Sequence, residues 1–338
     1  MPRKHLGGTS TRSAWIVALT ILFVCFFDLS IISAMETFNR HEDLFAVSFP
    51  NETEGWACGD WGVIWHTGDG GQTWKAQKSG TDSTLSSIFF IDSQTGWAVG
   101  NEGTILHTSD GGQNWARQES PVTFFHYDVC FVTPSKGWIA SEMTHILYTE
   151  NGGETWQVQF SDDIYNFVAI AFSDEKHGWT VGEYGLTYHT DDGGNNWVHQ
   201  AGYFRVSDET GDIETGVFLF DVIALDAMTA LAAGADGVVT KTEDGGKTWT
   251  ILDAGIPKTL YFGAAYDGID AIVIGGKGVY LHSDDRGNKW KRVQTEPSME
   301  YRWLYGFDNI GSSRFAAVGE DGAIYLGELP GRLQRINY

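Results

Sequence analysis

From residue 44 onward the chain alternates between short apolar runs and clusters of Gly, Asp, Asn and Ser. The runs are rich in β-branched and aromatic residues, and the clusters have turn composition, so the pattern predicts short strands. No segment after residue 36 carries the period of a long helix. The stretch Gly96–Trp115, GWAVGNEGTILHTSDGGQNW, recurs along the chain. Its closing Trp stands at 74, 115, 156 and 197, three steps of 41, then at 249 after a step of 52 and at 290 after another 41. A second Trp, at 56, 97, 138 and 179, precedes the first four closing Trp by 18 residues.

Copies begin near Leu44, Leu85, Tyr127, Phe167, Phe220, Phe262 and Leu304, which makes seven. In the second copy the strands are expected at Ser86–Ile91, Gly96–Gly100, Thr104–Ser109 and Trp115–Gln118. Four strands in about 41 residues is a propeller blade. One blade cannot bury both of its faces, so the blades must stack in a ring. The expected fold is all-β, a seven-bladed β-propeller of four-stranded blades over residues 37–338, as one domain. The fourth strand of the last blade is either Arg332–Ile336 or a strand borrowed from Thr37–Asp43.

The first 36 residues follow a different pattern. Trp15 to Ile32 is apolar except for Thr20, Asp28 and Ser30, with Arg3, Lys4 and Arg12 before it and Glu36, Glu42 and Asp43 after it. This predicts a basic cytoplasmic tail at 1–13 and one transmembrane helix at 14–33 that leaves the rest outside the cytoplasm. The expected location is the inner membrane, single-pass, with the propeller on the periplasmic side. A cleaved signal peptide is a second reading, against which Ile31, Ile32 and Met35 crowd the small residues Ser33 and Ala34. Lipidation at Cys25 is a third, with Phe23 and Val24 oversized before it.

Composition narrows the functional classes. The chain has 14 Trp, 42 Gly and 3 Cys, with 22 basic and 44 acidic residues and a net charge of −22. Aromatics at 14% exclude an acidic disordered chain. Three Cys exclude a disulfide scaffold, and Cys58 and Cys130 read as free buried thiols. The acidity argues against nucleic acid as a partner. From residue 36 on, 43 acidic against 19 basic residues give −24.

The turn between the third and fourth strands is written six times as S/T-x-D-x-G-x-x-W. Its acids are Asp69, Asp110, Asn151 in place of Asp, Asp192, Asp244 and Asp285. Its aromatics are Trp74, Trp115, Trp156, Trp197, Trp249 and Trp290. The carboxylate suits the N–H groups of its own turn, the Gly supplies positive φ, and the Trp is placed to plug the gap between blades. This turn resembles the Asp-box of the bacterial neuraminidase repeat. Together with GW-A/V-G-x-x-G-x-I/V-L-H-T, residues 44 to about 328 resemble the photosystem II stability/assembly factor family.

That resemblance implies a non-enzymatic assembly chaperone or scaffold for a membrane complex. Photosynthetic members present an arginine patch to their client. This chain has eleven Arg in all and no visible cluster on a strand, which points to a different membrane complex as client. A permanent accessory subunit of an envelope transporter or electron-transfer complex is the alternative.

A glycosidase or sialidase is the remaining class. It would need an Arg triad for a carboxylate and paired acids on the inner strands. Those strands read LFAVSF, LSSIFF, DVCFV, FVAIAF, DVIAL, GAAYD and LYGFD, apolar and small, and before the first box stands only Arg40. No cofactor or small-molecule substrate is expected. His66, His107, His189 and His282 recur at one repeat position, shared by Tyr148 and Lys241, and read as framework rather than metal ligands. Asp-rich turns such as Asp191-Asp192-Gly193 lack the EF-hand pattern.

Partner-binding candidates come from what the repeat leaves over. Trp61 lies between the second and third strands, and Arg302 and Trp303 open the seventh blade. An 11-residue insertion before the fifth blade carries Asp208, Glu209, Asp212 and Glu214 beside Tyr203, Phe204 and Arg205. Second-to-third turns bearing Asp60, Glu102, Glu142, Glu183, Asp236, Glu320 and Asp321 are expected to share one acidic face with this projecting loop, which would steer a basic or polar partner.

Overall fold

The computed structural model describes residues 42–162, 165–206, 213–252, 261–266, 271–276, 279–293, 303–312, 314–328 and 333–336, with the backbone alone at 204–206, 213–214, 261–266, 271–272 and 333. The expected N-terminal span lies outside these residues. Among the described residues no helix is long and apolar enough to cross a membrane.

Seven four-stranded antiparallel sheets follow one another in sequence order. Blade one is β1 (Leu44–Ser48), β2 (Gly55–Gly59), β3 (Ile64–Thr67) and β4 (Lys75–Gln77). Blade two is β5 (Leu85–Phe90), β6 (Gly96–Gly100), β7 (Thr104–Thr108) and β8 (Ala116–Gln118). Blade three is β9 (His126–Phe131), β10 (Gly137–Ser141), β11 (Ile146–Thr149) and β12 (Gln157–Phe160). Blade four is β13 (Phe167–Phe172), β14 (Gly178–Gly182), β15 (Thr187–Thr190) and β16 (Val198–Ala201). A separate two-stranded hairpin follows, β17 (Phe204–Val206) and β18 (Ile213–Thr215). Blade five is β19 (Leu219–Ala224), β20 (Ala230–Gly234), β21 (Val239–Thr242) and β22 (Thr250–Ile251). Blade six is β23 (Tyr261–Tyr266), β24 (Ala271–Gly275), β25 (Val279–Ser283) and β26 (Lys291–Arg292). Blade seven is β27 (Leu304–Ile310), β28 (Arg314–Gly319), β29 (Ala323–Glu328) and β30 (Leu333–Ile336).

The open question of the last blade is answered by β30, which pairs antiparallel with β29. Blade seven therefore completes itself from the C-terminal side. The ring closes by side-chain packing instead of a borrowed strand: Leu44, Val47 and Ala57 of blade one share a cluster with Ile310, Val318 and Ile336 of blade seven.

Aromatic stacking joins successive blades. Trp56 lies flat on Phe90 of the next blade, with centroids 3.6 Å apart; Trp97 repeats this on Phe131 at 3.5 Å and Trp138 on Phe172 at 3.6 Å. Each of those Phe rings meets the closing Trp of its own blade edge-on, Trp115, Trp156 or Trp197. Trp56, Trp97, Trp138 and Trp179 are fully buried. Burial of an indole contributes on the order of 4 kcal/mol, so the stacked Trp rings are a large part of what holds the blades together.

The second-to-third turns are tight. In blade one the Asp60 N–H donates to the Asp43 carbonyl just before β1. Asn101, Glu142, Glu183, Ala235 and Glu320 make the matching bond in their own blades. This puts these turns and the blade-to-blade connections on one face. A Cβ at Gly59 or Gly100 would overlap the carbonyl that accepts this bond, which is why those second strands end in Gly.

Candidate functional site

Inner-strand residues of blades one to five and seven line a cavity of about 820 Å³. All seven inner strands carry a register shift against their second strand, for example between Leu44 and Ala46 or between Leu304 and Gly306. A bulge takes one residue out of the ladder and re-aims its side chain. The residue at this place is Phe45, Ser86, Tyr127, Val168, Phe220 or Tyr305, and each is half-buried and lines the cavity. They form a collar at the end of the cavity nearest the second-to-third turns.

Aromatic contacts extend the collar outward. Phe45 meets Tyr305 at 5.5 Å across the blade seven–blade one junction. On the other side Tyr165 packs on Tyr184 at 5.0 Å, Tyr184 on Phe218 at 5.1 Å and Phe218 on Phe220 at 6.4 Å. The hairpin joins this track at Tyr184, where Tyr203 N–H donates to the Tyr184 carbonyl at 3.2 Å and Gly216 N–H to the Tyr203 carbonyl at 2.8 Å.

Carboxylates surround the collar. Burial, followed by the charges of Glu142 and Glu183, pushes the Tyr127 hydroxyl up to about 12. Burial, followed by Asp43, Glu320 and Asp60, does the same for Tyr305. Several acids of the expected acidic face also do structural work. Glu142 accepts the Phe125 N–H at 3.0 Å, Glu183 accepts from the Asn166 side-chain amide at 2.9 Å, and Asp60 accepts from Thr84 Oγ1 at 3.2 Å.

The acids in the inner-strand strings face neighbouring strands and the cavity. Asp128, Asp221 and Asp308 are half-buried and line the cavity. Asp128 ties three blades: it accepts from Ser87 Oγ at 2.8 Å, from Val129 N–H at 2.9 Å and from Ile170 N–H at 2.9 Å. Asp308 accepts from Phe49 N–H at 2.6 Å and from Asn309 N–H at 2.8 Å. Burial raises both carboxyls, Asp308 to about 7. Both work as staples between inner strands that belong to separate sheets.

The leftover candidates fall on the turn face. Trp61 is 58% exposed at the tip of its turn, with φ 56°. Tyr203 is 50% exposed at the hairpin foot. Arg205 and Glu214 are paired across the hairpin backbone. The expected loop is thus a hairpin held on the Tyr184 turn. Trp303 is half-buried and packs where a Cβ on Gly276 would stand. Asp208, Glu209, Asp212 and Arg302 lie outside the described residues.

The repeated turn is a local hydrogen-bond knot. Asp69 Oδ1 accepts from Thr67 Oγ1 at 2.8 Å and from Thr73 N–H at 2.9 Å, and Oδ2 accepts from Thr73 Oγ1 at 2.6 Å. Asp110, Asp192 and Asp244 repeat this with Asn114, Asn196 and Thr248, and Asp285 accepts from Ser283 Oγ and Lys289 N–H. Asn151 keeps the two Oδ1 bonds, and its amide donates to Thr155 Oγ1. Trp74, Trp115, Trp156, Trp197, Trp249 and Trp290 each sit in the apolar cluster between their own blade and the preceding one.

A glutamine ladder completes this joint. Gln77, Gln118, Gln159 and Gln200 donate to the Gly111, Gly152, Gly193 and Gly245 carbonyls of the next blade, at 2.6–3.0 Å. Their Oε1 atoms accept from the closing Trp115, Trp156, Trp197 and Trp249. The first three steps of this ladder are 41 residues, the same period that marks the Trp.

The recurrent His position faces the second-strand Trp: His66 lies 4.8 Å from Trp56, His107 5.1 Å from Trp97 and His189 4.6 Å from Trp179. Among the described residues no three His, Cys, Asp or Glu gather to hold a metal.

Comparisons with known proteins agree with this architecture. The sequence profile of the Photosynthesis system II assembly factor YCF48 family matches residues 34–120, 115–201 and 204–333. The chain belongs to the YCF48 family. A solved structure of YCF48 bound to D1 peptide is similar at 19% identity, over 88% of this chain and 93% of that one, with a TM-score of 0.68. YCF48 from Cyanidioschyzon merolae is similar at 21% identity, over 86% and 96%, with a TM-score of 0.68. The WD40 β-propeller domain of Doa1 shares the fold at 10% identity, over 84% and 92%, with a TM-score of 0.64. A comparison with curated proteins finds no match.

Proposed function

We propose that this YCF48-family chain is a non-catalytic docking ring that helps assemble or stabilise a membrane protein complex, using the face that carries the second-to-third turns and the hairpin. The observation that carries this reading is the hairpin foot: Tyr203 and Gly216 fix a projecting β-ribbon to the Tyr184 turn, beside an aromatic track and a carboxylate rim. Ribbons and loops on a rigid scaffold are where binding residues concentrate. A relative solved with a D1 peptide supports polypeptide as the ligand class. The staple roles of Asp128 and Asp308 speak for framework and against an acid–base pair in the channel.

In the same reading the N-terminal apolar segment tethers the ring at the extracytoplasmic side of the membrane. The net charge of −24 from residue 36 on favours a client with a basic docking surface, different from one that meets an arginine patch. The test deletes Val206–Thr215 and measures co-purification of membrane partners from detergent-solubilised membranes. Loss of capture is the expected result, and unchanged capture would sink the reading. A substoichiometric partner marks an assembly factor; a stoichiometric one marks a permanent accessory subunit.

A further inference from the structure

We propose that the collar of the central channel is a receptor for a basic side chain: an extended segment of the partner lies along the aromatic track from the hairpin and places a Lys or Arg among Phe45, Tyr127, Phe220 and Tyr305. This rests on the docking reading and names the chemistry of its partner.

The cavity carries the inference. Its volume, about 820 Å³, exceeds what one side chain fills, and its wall is already built without any movement of the ring. Ligand sites of this size are mostly apolar, with a few polar groups that choose the ligand. Here the bulges of six inner strands offer their extra residue to the cavity, and four of these six described collar positions are aromatic. Aromatic faces present negative potential and attract guanidinium or ammonium.

The charges around the collar select the same sign. Asp43, Asp60 and Glu320 act on Tyr305, and Glu142 and Glu183 act on Tyr127, from opposite sides of the ring. Among the described residues that line the cavity there is no Lys, Arg or His to offset these carboxylates. An anionic ligand would meet repulsion from each side. A metal ion would need oxygen donors gathered within bonding distance, whereas the collar offers rings.

The track supplies direction. Tyr184, Phe218 and Phe220 lead ring to ring from the hairpin foot to the collar, and Tyr165 packs on Tyr184 behind them. Tyr184 holds its place at φ 57°, a left-handed conformation that is rare for an aromatic residue and that turns its ring into the track. An extended segment stacking on these rings arrives at the channel with one side chain pointing down its axis.

The experiment uses the full chain in detergent micelles. The probe is a fluorescently labelled, acetylated and amidated Gly–Ser decapeptide with two central arginines, compared with the same peptide carrying citrulline, which has nearly the same shape and no charge. Anisotropy is expected to show one saturable site, with the citrulline peptide at least tenfold weaker. Tyr305→Leu should weaken the arginine peptide roughly fivefold, Tyr305→Phe should retain binding because the ring is kept, and Glu320→Gln should weaken it by a similar factor. Glu154→Gln, in a turn at the other end of its blade, should leave it unchanged. Thermal melts of each variant establish that the ring is intact. Equal affinity for arginine and citrulline peptides, no binding, or equal losses in Glu320→Gln and Glu154→Gln would overturn the inference. If membranes still yield hairpin-dependent capture while the arginine peptide does not bind, the receptor is refuted and the docking reading stands. If the hairpin deletion leaves capture unchanged, the docking reading falls and the peptide titration alone decides the collar.

Discussion

Asp308 Oδ2 accepts the Phe49 N–H at 2.6 Å, across the junction between the last and the first blade. The two residues are 259 positions apart in the chain. The described strands of blades one and seven form separate sheets, so side-chain contacts such as this bond and the apolar cluster around Leu44 and Ile336 join the two ends of the ring.

The closing carboxylate makes stability depend on pH. Burial raises the Asp308 carboxyl from 3.8 to about 7. A raised acid binds its proton more tightly in the folded than in the unfolded chain. Its contribution is therefore fully present below about pH 4 and is lost as pH rises through about 7. Burial moves Asp128 in the same direction. Melting temperature is expected to rise as pH falls from 8 to 5. A tenfold difference in proton affinity between the folded and unfolded chain is worth about 1.4 kcal/mol. Asp308→Asn keeps an acceptor for Phe49 and cannot titrate, so calorimetric melts between pH 5 and 8 should show a flatter profile for this variant.

The turn acids act in the opposite sense. Burial alone would push the Asp69 carboxyl up, but the bonds from Thr73 and Thr67 hold it below the usual range. Asp192 and Asp285 behave alike. A lowered acid contributes stability above its unfolded value and loses it as pH falls further. Acid unfolding is expected below about pH 4, where these knots protonate together. Asn151 shows that an amide can occupy the position. Asp69→Asn should be close to neutral at pH 7 and less sensitive to acid, whereas Asp69→Ala should cost about 1 kcal/mol, both read from urea unfolding at about pH 7 and about pH 3.5.

Much of the architecture is written in the period of 41. Turn residues and indoles recur because each blade solves the same packing problem, so strand number and blade number are readable from the chain alone. The glutamine ladder carries the same period and was open to the same reading. The collar was not. Alternation assigns faces only while the register is unbroken, and a bulge at the second residue of each inner strand resets it. Asp128 and Asp308 are visible in the inner-strand strings, but only the fold shows which neighbour's N–H each one meets. Small differences at strand starts, His126 for Tyr127 and Leu219 for Phe220, also fall beside the bulge.

Gln118 tests the ladder. Its Nε2 donates to the Gly152 carbonyl at 2.9 Å and its Oε1 accepts from Trp156 Nε1 at 3.0 Å. Gln118→Ala removes both and leaves a largely buried indole N–H without its acceptor. The expected loss is about 2 kcal/mol in urea unfolding, since an unsatisfied buried donor costs more than a bond is worth. Gln118→Glu keeps the indole acceptor but faces the Gly152 carbonyl with an oxygen, and should recover only part of the loss.

The second-to-third turns supply the last test, because one blade breaks the rule that five other described turns keep. Gly62, Gly103, Gly185, Gly237 and Gly322 close their turns at positive φ, between 63° and 75°. Blade three places Thr144 there, at φ 52°. A β-branched residue in this region is strained, and Thr144 is partly compensated because its Oγ1 accepts the Asp162 N–H at 3.0 Å. Gly103 lacks that compensation, and a Cβ on it would overlap the Val122 carbonyl. Gly103→Thr is therefore expected to destabilise the ring by about 2 kcal/mol or more. Gly103→Asn, better tolerated in the left-handed region, should still meet the same carbonyl and lose somewhat less. Equal stability of wild type and Gly103→Thr in urea unfolding would mean that the turn backbone yields freely. In that case the outward presentation of Trp61 and Met143 at the neighbouring positive-φ positions would not be fixed by the turn.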